Sequence, residues 1–194
     1  MRMTGREAFW MLTRAGVPSR RLIYFSDSGA EVMEMDLPAL FQKQNELNRR
    51  IIKQQGLQED LTENQKLALL VELGELANEW RGFKVWRADR SPRRLEMLEE
   101  YADCLHFFAS TGLMLKVDPG AVEMRAIRLE DTISQFRELF RRIAGMETAE
   151  DWERSFRLFL GLGEMLGLTQ VEIERAHEKK HRINYERLKE KVSK

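Results

Sequence analysis

Helix-start signals recur along most of this sequence, and strand signals are missing from it. Between residues 36 and 194, apolar residues repeat at spacings of three and four, and Ser, Thr or Asp residues precede most of these runs. No segment alternates convincingly between apolar and polar residues, and no Asn-Gly or Asp-Gly hairpin pair occurs. The chain is therefore predicted to be all-α, a bundle of about five to six helices.

Capping signals predict where the helices begin. A Ser, Thr or Asp side chain can accept a hydrogen bond from the first turn, and an acidic or amide side chain three residues later can return it. A proline directly after the cap suits the first helical position. The predicted helices are Leu37–Gln54; Thr62–Trp80, with a Thr62-x-x-Gln65 box; one from Ser91-Pro92 to Gly112; one from Asp118-Pro119 to Gly145; one from Thr148-x-x-Asp151; and one from Thr169-x-x-Glu172 nearly to the C-terminus.

The fourth predicted helix carries a heptad-like apolar seam. Its members are spaced alternately by four and three residues, which is the spacing of a helix that packs along one side. Packing inside the bundle and packing between two subunits both fit this pattern. The seam comprises Val122, Ala126, Leu129, Ile133, Phe136, Phe140 and Ile143.

Residues 1–35 are predicted to be an N-terminal extension, and residues 36–194 the all-α domain. The first 32 residues contain five arginines, no lysine and several glycines, with weak helical periodicity. Three interpretations stay open for the extension. It is a loosely structured segment, the product of a start codon assigned too far upstream, or a functional arm.

Charge and cysteine content exclude several classes of protein. The 32 Lys and Arg residues equal the 32 Asp and Glu residues, whereas non-specific binding of a nucleic-acid polymer needs a basic excess. No apolar run reaches the length of a membrane span, and the N-terminus lacks the apolar core of a secretory signal. The single cysteine, Cys104, rules out an intrachain disulfide and favours a reducing, cytoplasmic location.

Carboxylates occur on two helices that are otherwise apolar. Glu72, Glu75 and Glu79 fall within an arc of about 60° on the second predicted helix. Glu100 and Asp103 lie one turn apart on the third. Buried carboxylates are costly unless they are paired or bind a cation. If the two helices face each other, their acids suit Mg²⁺ or Mn²⁺ better than zinc; ordinary surface acids are the alternative.

Two further groups of polar residues suit a nucleotide. Lys180, Asn184 and Arg187 share one face of the last helix, where they can bind phosphate oxygens. A merely solvated helix face is the alternative. Gln44 lies in the apolar stripe of the first helix and Asn48 one turn later. These amides can recognise a nucleobase edge, or they can bond to a neighbouring helix.

Four sequence blocks carry a family resemblance over about residues 36–189. They are Leu40-Phe41-x-x-Gln44-x-x-x-Asn48, ELGELANEWRGFKVW from Glu72 to Trp86, EEYADCLHF from Glu99 to Phe107, and EKKHRINYER from Glu178 to Arg187. In this order they resemble the dimeric all-α dUTPases of the MazG-like NTP pyrophosphatase superfamily. The sequence departs from many relatives at His181, where they have Asn, and in the tail from Leu188 onward.

The resemblance implies a role for each site residue. It implies that Glu72, Glu75, Glu100 and Asp103 bind Mg²⁺, and that Glu75 also orients or deprotonates the attacking water. The residues implied to bind substrate are Gln44, Asn48 and His106 near the deoxyuridine, Trp86 and Phe107 as stacking partners, Lys180, Asn184 and Arg187 at the phosphates, and Lys84 as a weaker phosphate candidate.

The resemblance also implies a reaction: a homodimer hydrolyses dUTP to dUMP and pyrophosphate and also accepts dUDP. Three alternatives stay open. The first is a related pyrophosphatase acting on dCTP or a modified nucleotide, and the second a non-catalytic helical interaction module. The third is a di-iron bundle, because Asp103-x-x-His106, Glu174-x-x-His177 and Glu178-x-x-His181 have ligand-like spacing. Basic neighbours and the charged surroundings of the last two pairs argue against iron.

Overall fold

The computed structural model describes residues 35–57 and 60–192. Within these ranges the chain forms six helices and no strand, which confirms the all-α prediction. The predicted extension lies outside the described residues except for Met35. The helices are α1 (Leu37–Gln55), α2 (Thr62–Trp80), α3 (Arg94–Met114), α4 (Thr132–Ala144), α5 (Ala149–Met165) and α6 (Gln170–Val192).

Helix α3 is the centre of the bundle. It packs against α1, α2, α5 and α6, and α4 packs against α2 and α5. Its Tyr101 hydroxyl donates to the Phe159 carbonyl at 3.2 Å, and the Trp152 indole donates to the Phe108 carbonyl at 2.8 Å. These polar atoms of buried aromatic residues are therefore satisfied inside the core. Beyond its first two turns, α3 is almost entirely buried, so the polar residues there face the interior of the bundle.

The capping boxes of α5 and α6 are confirmed. Thr148 and Asp151 exchange backbone and side-chain hydrogen bonds at the start of α5. At the start of α6, the Thr169 N–H donates to the Glu172 carboxylate at 3.0 Å, and the Glu172 N–H donates to the Thr169 hydroxyl at 3.4 Å. Both boxes depend on residues three positions apart, so local sequence was sufficient to predict them.

The predicted capping box of α2 and the predicted start of α3 are wrong. Thr62 is already helical, and its hydroxyl donates to Asp60 rather than capping the helix. Ser91 and Pro92 precede α3, which begins at Arg94. The Arg81 guanidinium donates to the Ser91 carbonyl at 3.3 Å. Residues 91–93 are therefore tied to the end of α2 and do not open the next helix.

The predicted helix from Asp118 to Gly145 is wrong in its first half. Asp118 accepts a hydrogen bond from the backbone N–H of Gly120 and forms a turn. The helix α4 begins only at Thr132, capped by Asp131. Seam residues Val122, Ala126 and Leu129 thus lie in an irregular segment, although they still pack against the core.

The Gln135 side chain explains why residues 118–131 are not helical. Its amide nitrogen donates to the carbonyls of Ile127 and Leu158 at 2.8 and 2.6 Å, and its oxygen accepts from the Leu129 N–H at 2.7 Å. Gly161 lies inside α5 where a β-carbon would collide with the Ile127 carbonyl. Bonds to distant residues replace the helical ones that the apolar spacing predicted.

No helix in the described part of the chain has the length and apolarity to cross a membrane.

Candidate active site

The packing of α2 on α3 brings three carboxylates together. One carboxylate oxygen from each of Glu72, Glu100 and Asp103 lies within 4.8 Å of the others. Burial raises the pKa of Glu72 to about 7, and the charges of Asp103, Glu75 and Glu100 add to the effect. Burial and neighbouring carboxylates likewise raise the pKa values of Glu100 and Asp103. Carboxylates so close together cannot all ionise readily without a cation.

One lysine partly compensates this negative charge. The Lys180 ammonium, on α6, forms an ion pair with Asp103. That contact lowers the pKa of Asp103 against the larger effect of its burial. A single ammonium leaves the carboxylates of the cluster with excess negative charge. The arrangement suits a divalent cation bound by oxygen ligands, which the sequence predicted for these acids.

The two other acids of the predicted α2 arc lie differently. Glu75 is exposed and is not part of the three-carboxylate group, although its charge raises the pKa of Glu72, Glu100 and Asp103. Glu79 accepts a hydrogen bond from Arg93 at 3.2 Å. Glu75 therefore lies at the edge of the cluster, whereas Glu79 is occupied in an ion pair between α2 and the segment before α3.

A cavity of about 370 Å³ opens beside the carboxylates, between α1, α2, α3 and α6. Its wall combines acids, amides, an aromatic ring and basic groups, so it offers contacts for every part of a nucleotide. The predicted site residues that line it are Gln44, Asn48, Glu72, Asp103, His106, Phe107, Lys180, Asn184 and Arg187.

A network of neutral hydrogen bonds forms one end of this cavity. Gln44 donates to Asn48 at 2.9 Å, and both amide nitrogens donate to the Ser110 hydroxyl at 3.0 Å. His106 Nδ1 lies 2.9 Å from Gln44 Oε1. The amides bond to a neighbouring helix, as one interpretation expected, and they also line the cavity; that they recognise a nucleobase edge stays a prediction. Sequence reasoning missed Ser110, although it lies one turn beyond His106 on an otherwise apolar helix.

All three histidines of the chain stack beside this network. The ring centroids of His106 and His177 are 4.4 Å apart, and that of His181 lies 6.1 and 6.2 Å from them. Burial lowers the pKa of His106 to about 2 and that of His177 to about 4, and neighbouring positive charge adds to both effects. The rings are therefore neutral at pH 7.

The histidines also bear on the di-iron alternative. The expectation that His177 lies in a charged, unburied stretch is wrong, because only 8% of it is exposed. Nevertheless, among the described residues, the only set of three or more potential ligand residues with converging atoms is Glu72, Glu100 and Asp103. The acid-x-x-His pairs do not come together as an iron site requires.

Two predicted substrate-binding residues do not line the cavity. The Lys84 ammonium donates to the Asn78 carbonyl at 2.9 Å. The Trp86 ring is 71% exposed and contacts the edge of Phe83. Both residues belong to the irregular segment between α2 and α3, which lies outside the cavity wall. Within one chain, neither is in position to contact a nucleotide bound there.

Comparison with known families identifies the family of the chain. Residues 36–191 match a family model described as dUTPase. The chain belongs to this dUTPase family. It is accordingly an enzyme that hydrolyses dUTP, and the match includes all of the site residues named above. No individual curated protein matches the sequence.

Proposed function

We propose that this dUTPase converts dUTP to dUMP and pyrophosphate in the cavity between α1, α2, α3 and α6, and that it accepts dUDP with release of phosphate. Mg²⁺ is the proposed cofactor, with Mn²⁺ as a substitute. The observation that carries the proposal is the convergence of Glu72, Glu100 and Asp103 next to a cavity that also contains amides and basic groups.

The donor set fits the proposed cation. Hard divalent cations prefer oxygen ligands, and the three converging residues offer only carboxylate oxygens. We assign Glu72, Glu100 and Asp103 as ligands, with Glu75 as a fourth. When bound there, the ion would neutralise phosphate charge and make a water molecule easier to deprotonate.

Glu75 is the proposed catalytic base. Its exposed carboxylate lies at the edge of the cluster, where it can accept a proton from the attacking water. Lys180, Asn184 and Arg187 would bind the phosphate oxygens, since all three line the same cavity on one face of α6. Lys180 would then exchange part of its contact with Asp103 for a contact with phosphate.

The neutral end of the cavity is the proposed base site. Gln44 and Asn48 supply amide groups for the ring edge, and half-buried Phe107 supplies a face for stacking. His106 lies beside them but already bonds to Gln44. An amide site that pairs with uracil would reject cytosine, because an unpaired buried polar edge is costly.

We also propose that the enzyme is a homodimer, in which Lys84 and Trp86 of one chain contact the nucleotide bound to the other. Leu67 and Val71 form an exposed apolar stripe on α2, and Trp86 is exposed in the segment that follows α2. Because Lys84 and Trp86 do not reach their own cavity, their proposed contacts with the nucleotide require a partner chain or a rearrangement of residues 81–93.

We further propose a cytoplasmic location, which is consistent with the single, buried cysteine.

Complementation between two inactive variants tests the shared site. Trp86→Ala and Glu72→Gln would be mixed, denatured together and refolded. If Trp86 acts on the partner's cavity, mixed dimers contain one intact site and recover activity. No recovery from a mixture in which mixed dimers are detected would contradict a role across the interface.

Pyrophosphate release from a panel of deoxynucleoside triphosphates tests the function. We expect hydrolysis of dUTP to depend on Mg²⁺, to exceed that of dCTP and dTTP, and to fall at least about 100-fold in Glu75→Gln. Glu130→Gln, an exposed acid outside the cavity, is the matched control and should retain full activity. Equal rates on dUTP and dCTP would overturn the proposed specificity.

A further inference from the structure

The geometry points to His106 as the residue that sets which way the Gln44 and Asn48 amides face, with Ser110 as the hub that holds them, and so to a positioning role in choosing uracil over cytosine. This inference rests on the proposed base site. It concerns side chains behind the nucleotide: His106 and Ser110 act through the two amides and need not contact the ring.

Ser110 is saturated by the two amides. Its hydroxyl oxygen lies 3.0 Å from both amide nitrogens and 3.1 Å from Asn48 Oδ1. It accepts two N–H bonds and donates its own hydrogen to Asn48, which uses its full capacity. Because only 1% of Ser110 is exposed, solvent cannot replace a lost partner. The inward-facing halves of both amides are thus held by one hydroxyl.

What the amides have left for a ligand follows from their donors and acceptors. Gln44 uses both amide hydrogens, on Asn48 and Ser110, and one lone pair of Oε1, next to His106. Asn48 uses both lone pairs of Oδ1 and one amide hydrogen. One acceptor therefore remains on Gln44 and one donor on Asn48. Both residues line the cavity.

This pair of groups matches uracil. The ring presents an N3–H donor beside the O4 acceptor, which complement an acceptor and a donor placed side by side. Cytosine in the same pose presents the opposite order, an N3 acceptor beside an N4 donor. If both amides were flipped, the free groups would exchange roles and the same pose would suit cytosine. The direction of the network therefore decides between the two bases.

His106 fixes that direction. Gln44 Oε1 has no hydrogen, so the 2.9 Å contact requires His106 to donate from Nδ1. His106 Nε2 then carries a lone pair, and it is buried without a hydrogen-bond partner among the described residues. The opposite tautomer would bury an N–H donor with no acceptor in that place, which costs the desolvation of that donor. Because no described residue accepts a hydrogen from Nε2, the tautomer with an unprotonated Nε2 is favoured, and this is the tautomer that favours uracil.

The tautomer is directly measurable. Long-range ¹H–¹⁵N NMR of the full-length, histidine-labelled protein at pH 7 separates protonated from unprotonated ring nitrogens, and His106→Asn assigns the signal by its loss. We expect a protonated Nδ1 and an unprotonated Nε2 on His106. A protonated Nε2 with a bare Nδ1 would overturn the inference, whatever the variants do.

Kinetics test the consequence. Ser110→Ala frees both amides to rotate, so the ratio of kcat/KM for dUTP over dCTP should fall at least about tenfold. The loss should appear mainly as a higher KM for dUTP, since the phosphate groups and the carboxylates are untouched. Ser110→Thr retains the hydroxyl and should restore the ratio. His106→Leu, which removes the donor, should lower the ratio as Ser110→Ala does. His106→Asn retains an N–H near the position of Nδ1 and should therefore keep more of the preference for dUTP than His106→Leu.

The outcomes separate this inference from the proposed function. If the wild-type enzyme prefers dUTP but Ser110→Ala and His106→Leu keep that preference while folded by circular dichroism, the positioning role is wrong and the function stands. If the wild type shows no preference between dUTP and dCTP, both fall. A reduced ratio in Ser110→Ala that Ser110→Thr restores, together with the expected tautomer, supports the inference.

Discussion

The two ends of the cavity differ in how far they are satisfied without a ligand. At the carboxylate end, Glu72, Glu100 and Asp103 crowd together with raised pKa values and one lysine as partner. At the amide end, Gln44 and Ser110 are neutral and nearly saturated by bonds within the protein. The carboxylate end therefore needs a bound cation to neutralise its charge, whereas the hydrogen bonds of the amide end are already formed before a ligand binds. Such a division suits chemistry at one end and selection at the other.

The largest effect is expected from a substitution at the carboxylate end. Glu72→Gln keeps the shape of the side chain but removes one charge, and we expect kcat to fall about 1,000-fold, because cation-based charge stabilisation is worth several kcal/mol. Without divalent cations, the same change should raise the melting temperature, since it relieves repulsion among the three closely spaced carboxylates. Enzyme assays and thermal melts with and without Mg²⁺ measure both effects.

A variant that lost activity and stability together would contradict this account of Glu72. The carboxylate would then be a structural element and not a ligand position. Added Mg²⁺ provides the matching control: it should stabilise the wild type clearly and Glu72→Gln much less, because a ligand that binds only the folded state stabilises it in proportion to its affinity.

The histidine stack gives the next largest effect, on stability in acid. The pKa of His177 is about 4, because burial, His181 and Lys43 all disfavour its protonation; His106 stacks on it from α3. The unfolded chain takes up this proton near pH 6.5, so the free energy of unfolding falls as the pH drops from 6.5 towards 4. His177 alone should account for about 1.4 kcal/mol per pH unit over that window.

Urea unfolding at pH 7, 6 and 5 measures this loss. His177→Gln is the matched variant, because its side chain cannot titrate, and its unfolding free energy should decline less steeply than that of the wild type. Parallel slopes for the two proteins would show that His177 is protonated in the folded state and that the stack tolerates charge.

How much of this could be predicted from the sequence depends on the distance over which each feature is determined. The acids of α2 and α3 and the box of Thr148 and Asp151 follow from spacings of three or four residues, so periodicity was enough. The family match confirms the family assignment that these motifs suggested. The roles of the individual residues stay predictions.

Other features depend on tertiary contacts that no local pattern shows. Residues 118–131 have helical apolar spacing, yet the Gln135 side chain of α4 binds backbone groups of Ile127 and Leu129 that a helix would use. The histidine stack joins α3 to α6, and His177 looked solvated because its sequence neighbours are charged. The role of Ser110 was not predicted, because a serine in an apolar helix can have many different structural roles. Propensity is a weak guide where distant partners compete for the backbone.

A smaller effect is expected on the affinity for Mg²⁺ as the pH falls. Since the pKa of Glu72 is about 7, protons compete with Mg²⁺ below neutral pH. The apparent Mg²⁺ affinity should therefore fall by up to about tenfold per pH unit below 7. Titration calorimetry in two buffers of different ionisation enthalpy would count the protons released. An affinity that stays constant between pH 5.5 and 8 would contradict the raised pKa.

The smallest effect marks where the carboxylate end stops. Glu79 lies on the same predicted arc of α2 as Glu72, but it bonds to Arg93, whose side chain is 54% exposed. Glu79→Gln should leave kcat and KM within about twofold and lower the free energy of unfolding by less than about 1 kcal/mol, because an exposed partner makes the pair weak. It makes the same chemical change as Glu72→Gln on the same helix, two turns later, so a difference between their rates reflects position alone. A large loss of activity in Glu79→Gln would extend the catalytic cluster beyond Glu75. Glu79 would then belong to the carboxylates that bind a cation and not to those that stabilise the fold.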